Sequence, residues 1–264
     1  MIVNNMVSGE MRKVLVVFSF SILFFSKFLF SQTEKLHYSV FYHWGPVWIK
    51  GGSLHLSSEE FADERDTLIK LTGKGISSSK WKWLFEIDDT YTSVCRKEDY
   101  RPISSMKDAY EAGEKTDNRY LFDYDKSVVY IQTKTNDKPV RYDTLQLSLP
   151  LYDAQCATGY LRFMDVSNYK NGDTIKLNLL LDGELVNQSF IIQKNQIIRD
   201  KKDRRYDVLL FSAVVKENTL FSSKEAIRVW VTDDKKRIPL KIKADLVVGS
   251  VEILYNGIKF KKLQ

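Results

Sequence analysis

The sequence predicts a mostly β protein: a single domain made of one strongly curled antiparallel sheet, or an incomplete barrel, with one main helix packed inside it or across its mouth. From Leu36 onward, apolar and polar residues alternate with a period of two, which is the pattern of half-buried strands. About ten such strands cannot form a flat sheet, because strand twist accumulates and unpaired edges must be closed or covered.

The predicted strands follow one another along the chain. LHYSVFYHW and SLHLSSEEF form a first hairpin around the turn GPVWIKGG, and TLIKLTGKG is a third strand that ends in a GKG turn at 73–75. SSSKWKWLF is either a helical turn or the start of the next strand. Two strands around the Asp-Lys-Ser turn at 125–127 precede YDTLQLSLP. Four further strands close the chain: YDVLLFSAVV, EAIRVWVT, IPLKIKADL and GSVEIL.

The clearest hairpin is TIKLNLLLDGELVNQSFIIQ, residues 174–193. Its centre, Asp182-Gly183, supplies the positive backbone angles that a two-residue turn requires. Apolar residues continue on both sides of this turn. We therefore expect two paired antiparallel strands here.

One helix is predicted after Pro150, a residue whose missing N–H costs nothing at a helix start. Asp153 favours the first turn, since its charge complements the helix dipole. One face of the helix carries residues at steps of about four, namely Tyr152, Cys156, Tyr160 and Phe163 or Met164. Gly159 should weaken the helix by about 1 kcal/mol relative to alanine.

Residues 1–31 are expected to be an N-terminal extension and an export signal. Met11-Arg12-Lys13 is basic, the next thirteen residues carry no charge, and Ser31 is a suitable cleavage position after Lys27. The apolar run is too short to cross roughly 30 Å of hydrocarbon. We therefore expect a soluble periplasmic protein, residues 32–264, with no transmembrane span and no cysteine to accept a lipid. The alternative is an uncleaved anchor, and either Met1 or Met11 could be the start.

Charge argues against nucleic acid as a partner. The chain has 40 basic and 34 acidic residues, and the two signs are interspersed. Short basic clusters at 200–205, 235–237 and 259–262 suit strand ends and turns better than a nucleic-acid stripe.

Cys95 and Cys156 are the only thiols. An exported chain permits one disulfide, and the alternative is two buried apolar thiols. Neither cysteine has a partner at metal-ligand spacing, so a structural zinc site is not expected.

Several stretches together resemble the exported bacterial family known as domain of unknown function 3108. They are LHYSVFYHWGPVWIKGGSLHL, DDTYTSVCRKEDYRP, YLFDYDKSVV, YLRFMDVSNYKNGDTIKLNLLLDGELV and LFSSKEAIRVWVTDDKKRIPLKIKADLVVGSVEIL, in that order. The resemblance implies an exported, mostly β domain with no assigned activity. More distantly, such proteins are similar to half-barrel envelope proteins that include periplasmic lipoprotein carriers, which is an analogy of fold only.

The carboxylates and histidines that could act in catalysis are better explained as turn and strand residues. Adjacent carboxylates on an extended chain point in opposite directions, so Asp233-Asp234 is interpreted as the tip of a hairpin. His37, His43 and His55 lie in the first two strands, where two could be neighbours, but a third metal ligand is missing. No G-x-S-x-G elbow occurs. No metal, cofactor or catalytic residue is predicted.

The aromatic content favours a binding module. Packed core is the default use of such residues, but a curled sheet encloses volume that an aromatic lining could share with a lipid. We expect a non-enzymatic periplasmic binding or carrier module for an apolar or lipidated ligand. Its alternatives are a protein that binds envelope glycans through exposed tryptophans or serves as an envelope scaffold, and an unrecognised enzyme. The expected ligand-binding residues are Trp44, Trp48, Tyr160, Arg162 and Trp230. For Arg162, the alternative of capping the carbonyls at the helix C-terminus is favoured over binding an anionic headgroup.

Overall fold

Fifteen strands form one continuous sheet in the computed structural model, which describes residues 33–63, 66–81, 86–111, 113–147, 150–215 and 223–260. In chain order they are β1 (Thr33–Trp44), β2 (Val47–Ala62), β3 (Thr67–Ser77), β4 (Asp88–Arg96), β5 (Pro102–Glu111), β6 (Glu114–Asp123), β7 (Val128–Thr135), β8 (Arg141–Gln146), β9 (Leu151–Tyr152), β10 (Thr174–Leu181), β11 (Glu184–Arg199), β12 (Arg205–Val214), β13 (Ile227–Thr232), β14 (Pro239–Asp245) and β15 (Ser250–Tyr255). The same residues contain one α-helix, α1 (Ala154–Phe163), and a short 3₁₀ helix (Ser79–Trp81). The predicted export signal lies outside the described residues.

Strands that follow one another in the chain pair side by side, except that β8 and β9 lie at opposite ends of the strand order. That order is β8-β7-β6-β5-β4-β3-β2-β1-β15-β14-β13-β12-β11-β10-β9. All pairs are antiparallel except β9 with β10, which is parallel. The sheet is therefore not closed into a barrel by hydrogen bonds. This confirms the predicted fold class of a mostly β, curled sheet with one main helix.

The two ends of the sheet overlap. Gln146 ends β8 and Leu151 begins β9, so only four residues connect the two outermost strands, and the Cα atoms of Gln146 and Leu151 are at most about 18 Å apart. Leu179 and Leu180 are successive residues of β10 and point to opposite faces. Leu179 packs in the core that contains the helix, whereas Leu180 packs in a second core formed with Tyr120, Phe122, Val129, Ile131 and Leu151. Strand β10 is thus covered on both sides by other parts of the same sheet.

The helix lies against the inner face of the rolled sheet. Its buried side presents Cys156 and Ala157 to a core that includes Ile69 and Cys95 from β3 and β4 and Leu177 from β10. Asp153 is the N-cap, and its Oδ1 accepts a hydrogen bond from the Cys156 N–H at 2.9 Å. This cap satisfies one of the amide groups that a helix start leaves without an intrahelical partner.

Gly159 is required by close packing. A Cβ at this position would lie 2.4 Å from Cδ1 of Tyr100. The ring of Tyr100 in turn stacks on Phe163, with centroids 6.0 Å apart. The glycine that weakens the helix in isolation therefore allows the helix to approach the loop between β4 and β5.

Both cysteines are free and fully buried. The structure thus has the two buried thiols, not the disulfide, of the alternatives left open by the sequence. Burial, together with the neighbouring Cys95 and Asp153, raises the pKa of the Cys156 thiol well above its usual value.

Both predicted tight turns at acidic residues are confirmed. Asp182 and Gly183 have φ angles of 49° and 86° between β10 and β11. At the tip between β13 and β14, Asp234 Oδ1 accepts hydrogen bonds from the Thr232 hydroxyl and from the backbone N–H groups of Lys236 and Arg237. Asp233 instead forms an ion pair with Arg237 at 3.1 Å. The two carboxylates therefore hold a turn and share no site.

Two predicted turns are wrong. Gly51 and Gly52 belong to β2, which begins directly after the turn at Gly45-Pro46, and Gly73 to Gly75 belong to β3, which continues to Ser77. Gly52, Gly73 and Gly75 lie opposite Val40, Leu56 and Leu54, so the inner face of the sheet carries no side chain at these three positions. The SSSKWKWLF segment begins with the 3₁₀ helix, and residues 82–85 lie outside the described part.

Candidate functional site

The C-terminal end of the helix is tied to one end of the rolled sheet by Arg162. Its guanidinium donates to both carboxylate oxygens of Glu34, at 2.9 and 3.1 Å. It also donates to the carbonyl oxygen of Arg237 at 2.8 Å and to that of Lys236 at 3.0 Å. Glu34 lies at the start of β1 and the two carbonyls lie between β13 and β14, so the helix joins strands from both sides of β15 at this end. The side chain of Arg162 is only 11% exposed.

An apolar cavity of about 370 Å³ lies toward the opposite end of the sheet, where β1 and β3 end and β4 begins. It is lined mainly by aliphatic and aromatic side chains and glycines, namely Val40, Phe41, Tyr42, Gly51, Gly52, Ser53, Leu54, Gly75, Ile76, Ser77, Ile87, Val251 and Ile253. We call this space the apolar cavity.

The strand register explains why the apolar cavity exists. Val40 of β1 lies opposite Gly52 on β2 and Ile253 on β15, and Leu54 of β2 lies opposite Gly75 on β3. The aliphatic residues of β1 and β15 therefore face positions that have no side chains. No heavy atom lies within 4 Å of where a Cβ on Gly75 would stand.

A second cavity of about 330 Å³ has polar walls, and we call it the polar cavity. It lies between the start of the helix and the inner face of β4, β5 and β6. Its lining comprises Tyr91, Ser93, Ser105, Lys107, Tyr120, Asp153, Ala154, Gln155, Leu180, Leu181 and Asp182. Lys107 Nζ forms an ion pair with Asp182 at 3.0 Å.

Two residues of this lining each have a buried side-chain oxygen that makes no hydrogen bond of normal geometry among the described residues. The two oxygens are Oδ2 of Asp153, a residue only 3% exposed, and the hydroxyl oxygen of Tyr120. Burial raises the pKa of Asp153, although hydrogen bonds from the Cys156 N–H and Ser93 act in the opposite direction. Buried polar groups are normally hydrogen-bonded, so these two oxygens are unusual.

The two cavities are neighbours on the inner face. Ile87, which directly precedes β4, lines the apolar cavity, and Tyr91 of β4 lines the polar cavity. The two residues are four apart in extended chain, which is about 13 Å. Asp89 lies between them in sequence and is buried, and its Oδ1 accepts a hydrogen bond from the Tyr110 N–H at 3.1 Å. Burial, followed by the hydrogen bond with Glu111 and its charge, raises the pKa of Asp89 to about 6.

A family model described as "Protein of unknown function (DUF3108)" matches residues 37–255. The chain belongs to this family. No curated protein matches its sequence at a significant level. The chain is also similar to the crystal structure of a β-barrel-like protein of domain of unknown function DUF1849 from Brucella abortus, with 8% identity and a TM-score of 0.49 over 86% of this chain and 98% of that chain. Neither the DUF3108 family nor this structural neighbour has an assigned function.

The five residues that the sequence predicted as ligand contacts are dispersed in this DUF3108 protein, and none of them lines the apolar or the polar cavity. Trp48 lines a separate, smaller cavity of about 230 Å³ together with Phe41 and Tyr255. Trp44 ends β1 and is 59% exposed. Trp48 packs against Phe41 and His43, and Trp230 lies beneath the cations of Arg228 and Lys241. Tyr160 packs against Tyr152 in the core, at 5.2 Å between centroids. Arg162 holds the helix end, as described above.

His37 and His55 are neighbours, as the pairing of the first two strands predicts. Their Nδ1 atoms are 2.5 Å apart on the exposed side of β1 and β2. No group of three metal-ligating side chains occurs among the described residues. In the same part of the chain, no helix is long and apolar enough to cross a membrane.

The raised pKa of Asp89 predicts a specific pH dependence of stability. A raised pKa means that the folded state binds this proton more tightly than the unfolded state, whose value is near 3.8. The stabilising contribution is complete below that value and is lost as the pH rises through about 6. Between about pH 4 and pH 7, we expect the free energy of unfolding of wild type to fall by about 1–2 kcal/mol relative to that of Asp89→Asn. This figure is reduced because solvent screens the interaction with the exposed Glu111.

Urea unfolding of wild type and Asp89→Asn at a series of pH values measures this difference. Asparagine keeps an oxygen that accepts from the Tyr110 N–H, so the variant isolates the titration. If the stabilities of the two proteins differ by a constant amount over the whole pH range, Asp89 does not titrate as expected.

Proposed function

We propose that this protein is a non-enzymatic binding or carrier module that holds the apolar chain of a lipid or lipidated partner in the apolar cavity. The observation that carries the proposal is the cavity itself. Its volume of about 370 Å³ falls within the range of small-molecule sites, roughly 300–1,000 Å³. Moving an acyl chain from water into such a cavity contributes about 0.8 kcal/mol of favourable transfer free energy for each CH₂ group.

The glycines of β2 and β3 support this proposal over a packed core. A strand interior normally avoids glycine, because it loses more conformational freedom on folding and offers no side chain to pack. Gly52 is explained by contact, since a Cβ there would lie 2.3 Å from the carbonyl oxygen of Ile76. Gly75 has no such contact, so its absent side chain serves only to keep the cavity empty of protein atoms.

The place of action proposed is the periplasm, after cleavage of the predicted signal at residues 1–31. An apolar chain needs protection from water in an aqueous compartment between membranes, and a cavity inside a rolled sheet provides it. Cell fractionation with N-terminal sequencing of the mature protein tests this part. Recovery from the cytoplasm with residues 1–31 intact would contradict it.

The glycan-binding alternative needs exposed tryptophans arranged side by side. Trp48 and Trp230 are instead engaged by neighbouring side chains, and Trp44 is the strongly exposed one among the described tryptophans. The apolar cavity therefore favours the carrier proposal.

Filling the cavity should abolish ligand binding without harming the fold. We expect Gly75→Leu to weaken binding of a fluorescent long-chain fatty acid at least about tenfold, because the new side chain occupies the volume that the acyl chain needs. Stability should be unchanged or slightly higher, since φ at Gly75 lies outside the left-handed region and open space surrounds its Cβ position.

Lys74→Leu is the matched control, because Lys74 is the preceding residue of β3 and points to the opposite face. It should bind the probe like wild type. Native mass spectrometry of protein purified without detergent should also recover a bound lipid from wild type and not from Gly75→Leu. Equal binding by wild type and Gly75→Leu would refute the carrier function.

A further inference from the structure

Two turns at one end of the sheet expose large apolar side chains. Trp44 and Val47 flank the turn between β1 and β2 and are 59% and 42% exposed. Val247 and Val248 lie in the turn between β14 and β15 and are 57% and 54% exposed. We call these four residues the apolar tip. Turns usually carry glycine, proline or small polar residues, and grouped exposed apolar side chains mark interaction sites.

The two turns lie side by side. His43 of β1 pairs with Ser250 of β15, and the hydroxyl of Tyr42 donates a hydrogen bond to the carbonyl oxygen of Val248 at 2.8 Å. A Cβ on Gly249 would lie 2.3 Å from the carbonyl oxygen of His43, so the second turn packs closely on β1. The four side chains of the apolar tip therefore project from one place at the end of the sheet.

The apolar tip continues the face of β1 that lines the apolar cavity. Val40 and Tyr42 line that cavity, and Trp44 occupies the next position on the same face of the strand. Val47 pairs with Trp44 across the first turn, so it extends from the same face of β2. A largely apolar surface thus runs from the cavity to the outer end of these two strands.

The two turns carry no charge, unlike turns at the opposite end of the sheet. Their sequences are WGPVWI at 44–49 and LVVGSV at 246–251. The turns between β4 and β5, between β11 and β12, and between β13 and β14 lie at the other end and contain KEDYR, DKKDRR and DDKKR. An uncharged apolar tip at one end thus contrasts with strongly charged turns at the other.

We propose that the apolar tip inserts into the interfacial region of a lipid bilayer. This inference goes beyond the proposed function, because it rests on exposed turns and not on a ligand in the cavity. Tryptophan favours the membrane–water interface, and apolar side chains that enter the bilayer leave water. Insertion places the cavity-lining face of β1 beside the lipid that supplies or receives an apolar chain.

A bilayer suits the apolar tip better than a protein partner does. A specific protein interface uses about 20–30 residues on each side, with polar groups around an apolar centre. The apolar tip offers four apolar side chains on two turns, which is far below that size. A bilayer acts as a solvent and requires no complementary shape, so a few inserted side chains are sufficient for reversible attachment.

A fluorophore on the tip tests this contact directly. Cys95 and Cys156 are buried, so the single exposed cysteine of Val247→Cys accepts a thiol-reactive, environment-sensitive fluorophore selectively. We expect its emission to shift to the blue with phosphatidylcholine vesicles and to be quenched by lipids that carry a nitroxide near the headgroup. The label reports lipid contact at its own position, whatever residues 1–31 contribute to vesicle binding.

Leu121→Cys is the matched control for the labelled tip. Leu121 is 52% exposed and lies near the other end of the sheet, toward the end of β6. Its label should show neither the blue shift nor the quenching.

A charge on the tip should weaken the contact. When Trp44→Asp is added to the labelled Val247→Cys protein, the lipid concentration that gives half of the blue shift should rise at least about tenfold. Leu121→Asp in the same labelled protein should leave that concentration unchanged. Both substitutions are at exposed positions, so the urea midpoint should be nearly that of the parent protein, which reports that the variants are folded.

The outcomes separate membrane docking from the carrier function. Absent quenching at Val247→Cys, equal quenching at Leu121→Cys, or an unchanged half-point with Trp44→Asp would overturn the docking proposal. A blue shift that appears without vesicles as the protein concentration rises would assign the tip to self-association instead. Each of these results leaves the carrier function standing if the fluorescent fatty acid still binds. Tip-specific quenching in a protein that binds no fatty acid would support docking and refute the carrier function.

Discussion

Replacing Leu180 by alanine is expected to lower the free energy of unfolding by about 3 kcal/mol, the usual cost of removing a fully buried leucine from a core. Leu180 is 1% exposed and packs between β10 and the inner faces of β6 and β7. The loss should appear in urea unfolding as a lower midpoint with an unchanged slope.

Leu185→Ala in the same hairpin is the control for this effect. Leu185 is 56% exposed at the start of β11, so its replacement should change stability by less than about 0.5 kcal/mol. A comparably small effect at Leu180 would mean that the two ends of the sheet do not overlap in solution.

Arg162→Ala should cost about 2–3 kcal/mol, because it leaves the Glu34 carboxylate and two carbonyl oxygens without their donor. The expected value lies below that for a fully buried pair, since the side chain of Glu34 is 32% exposed. Thermal and urea unfolding both report this change.

Arg199→Ala is the appropriate comparison, since Arg199 pairs with Asp203 at 3.3 Å while both side chains are more than half exposed. That variant should lose less than about 0.5 kcal/mol. If Arg162→Ala were equally mild, the contacts of Arg162 would not anchor the helix. If the Arg162 variant kept its stability but lost lipid binding, Arg162 would be a ligand contact, as the sequence alone suggested.

The hairpins and the helix could be predicted because their determinants are local. Asp182-Gly183 encodes its own turn, and Pro150 with Asp153 encodes the helix start. The overlap of the sheet ends depends on contacts between residues far apart in sequence, and a period of two does not reveal it. One signal was present: the apolar run Leu179-Leu180-Leu181 breaks the alternation, as expected of a strand buried on both faces.

The candidate site was harder to predict, because the cavity exists where glycine residues provide no side chain to fill the space. Aromatic residues such as Tyr160, which the sequence favoured as ligand contacts, pack against the core. The walls of the apolar cavity depend on Gly52 and Gly75, which in one sequence are indistinguishable from turn residues. Asp153 was assigned to the first turn of the helix, but nothing in its sequence context indicated that one of its oxygens would make no hydrogen bond of normal geometry.

Because the sheet is not closed, it has two edge strands that could pair with another molecule. Strand β9 is only two residues long and buried, and β8, with the sequence RYDTLQ, is largely exposed and carries Arg141 and Asp143. A short covered edge and a charged edge both disfavour growth into fibrils, so the chain should remain dispersed at concentrations where a flat sheet with apolar borders would aggregate.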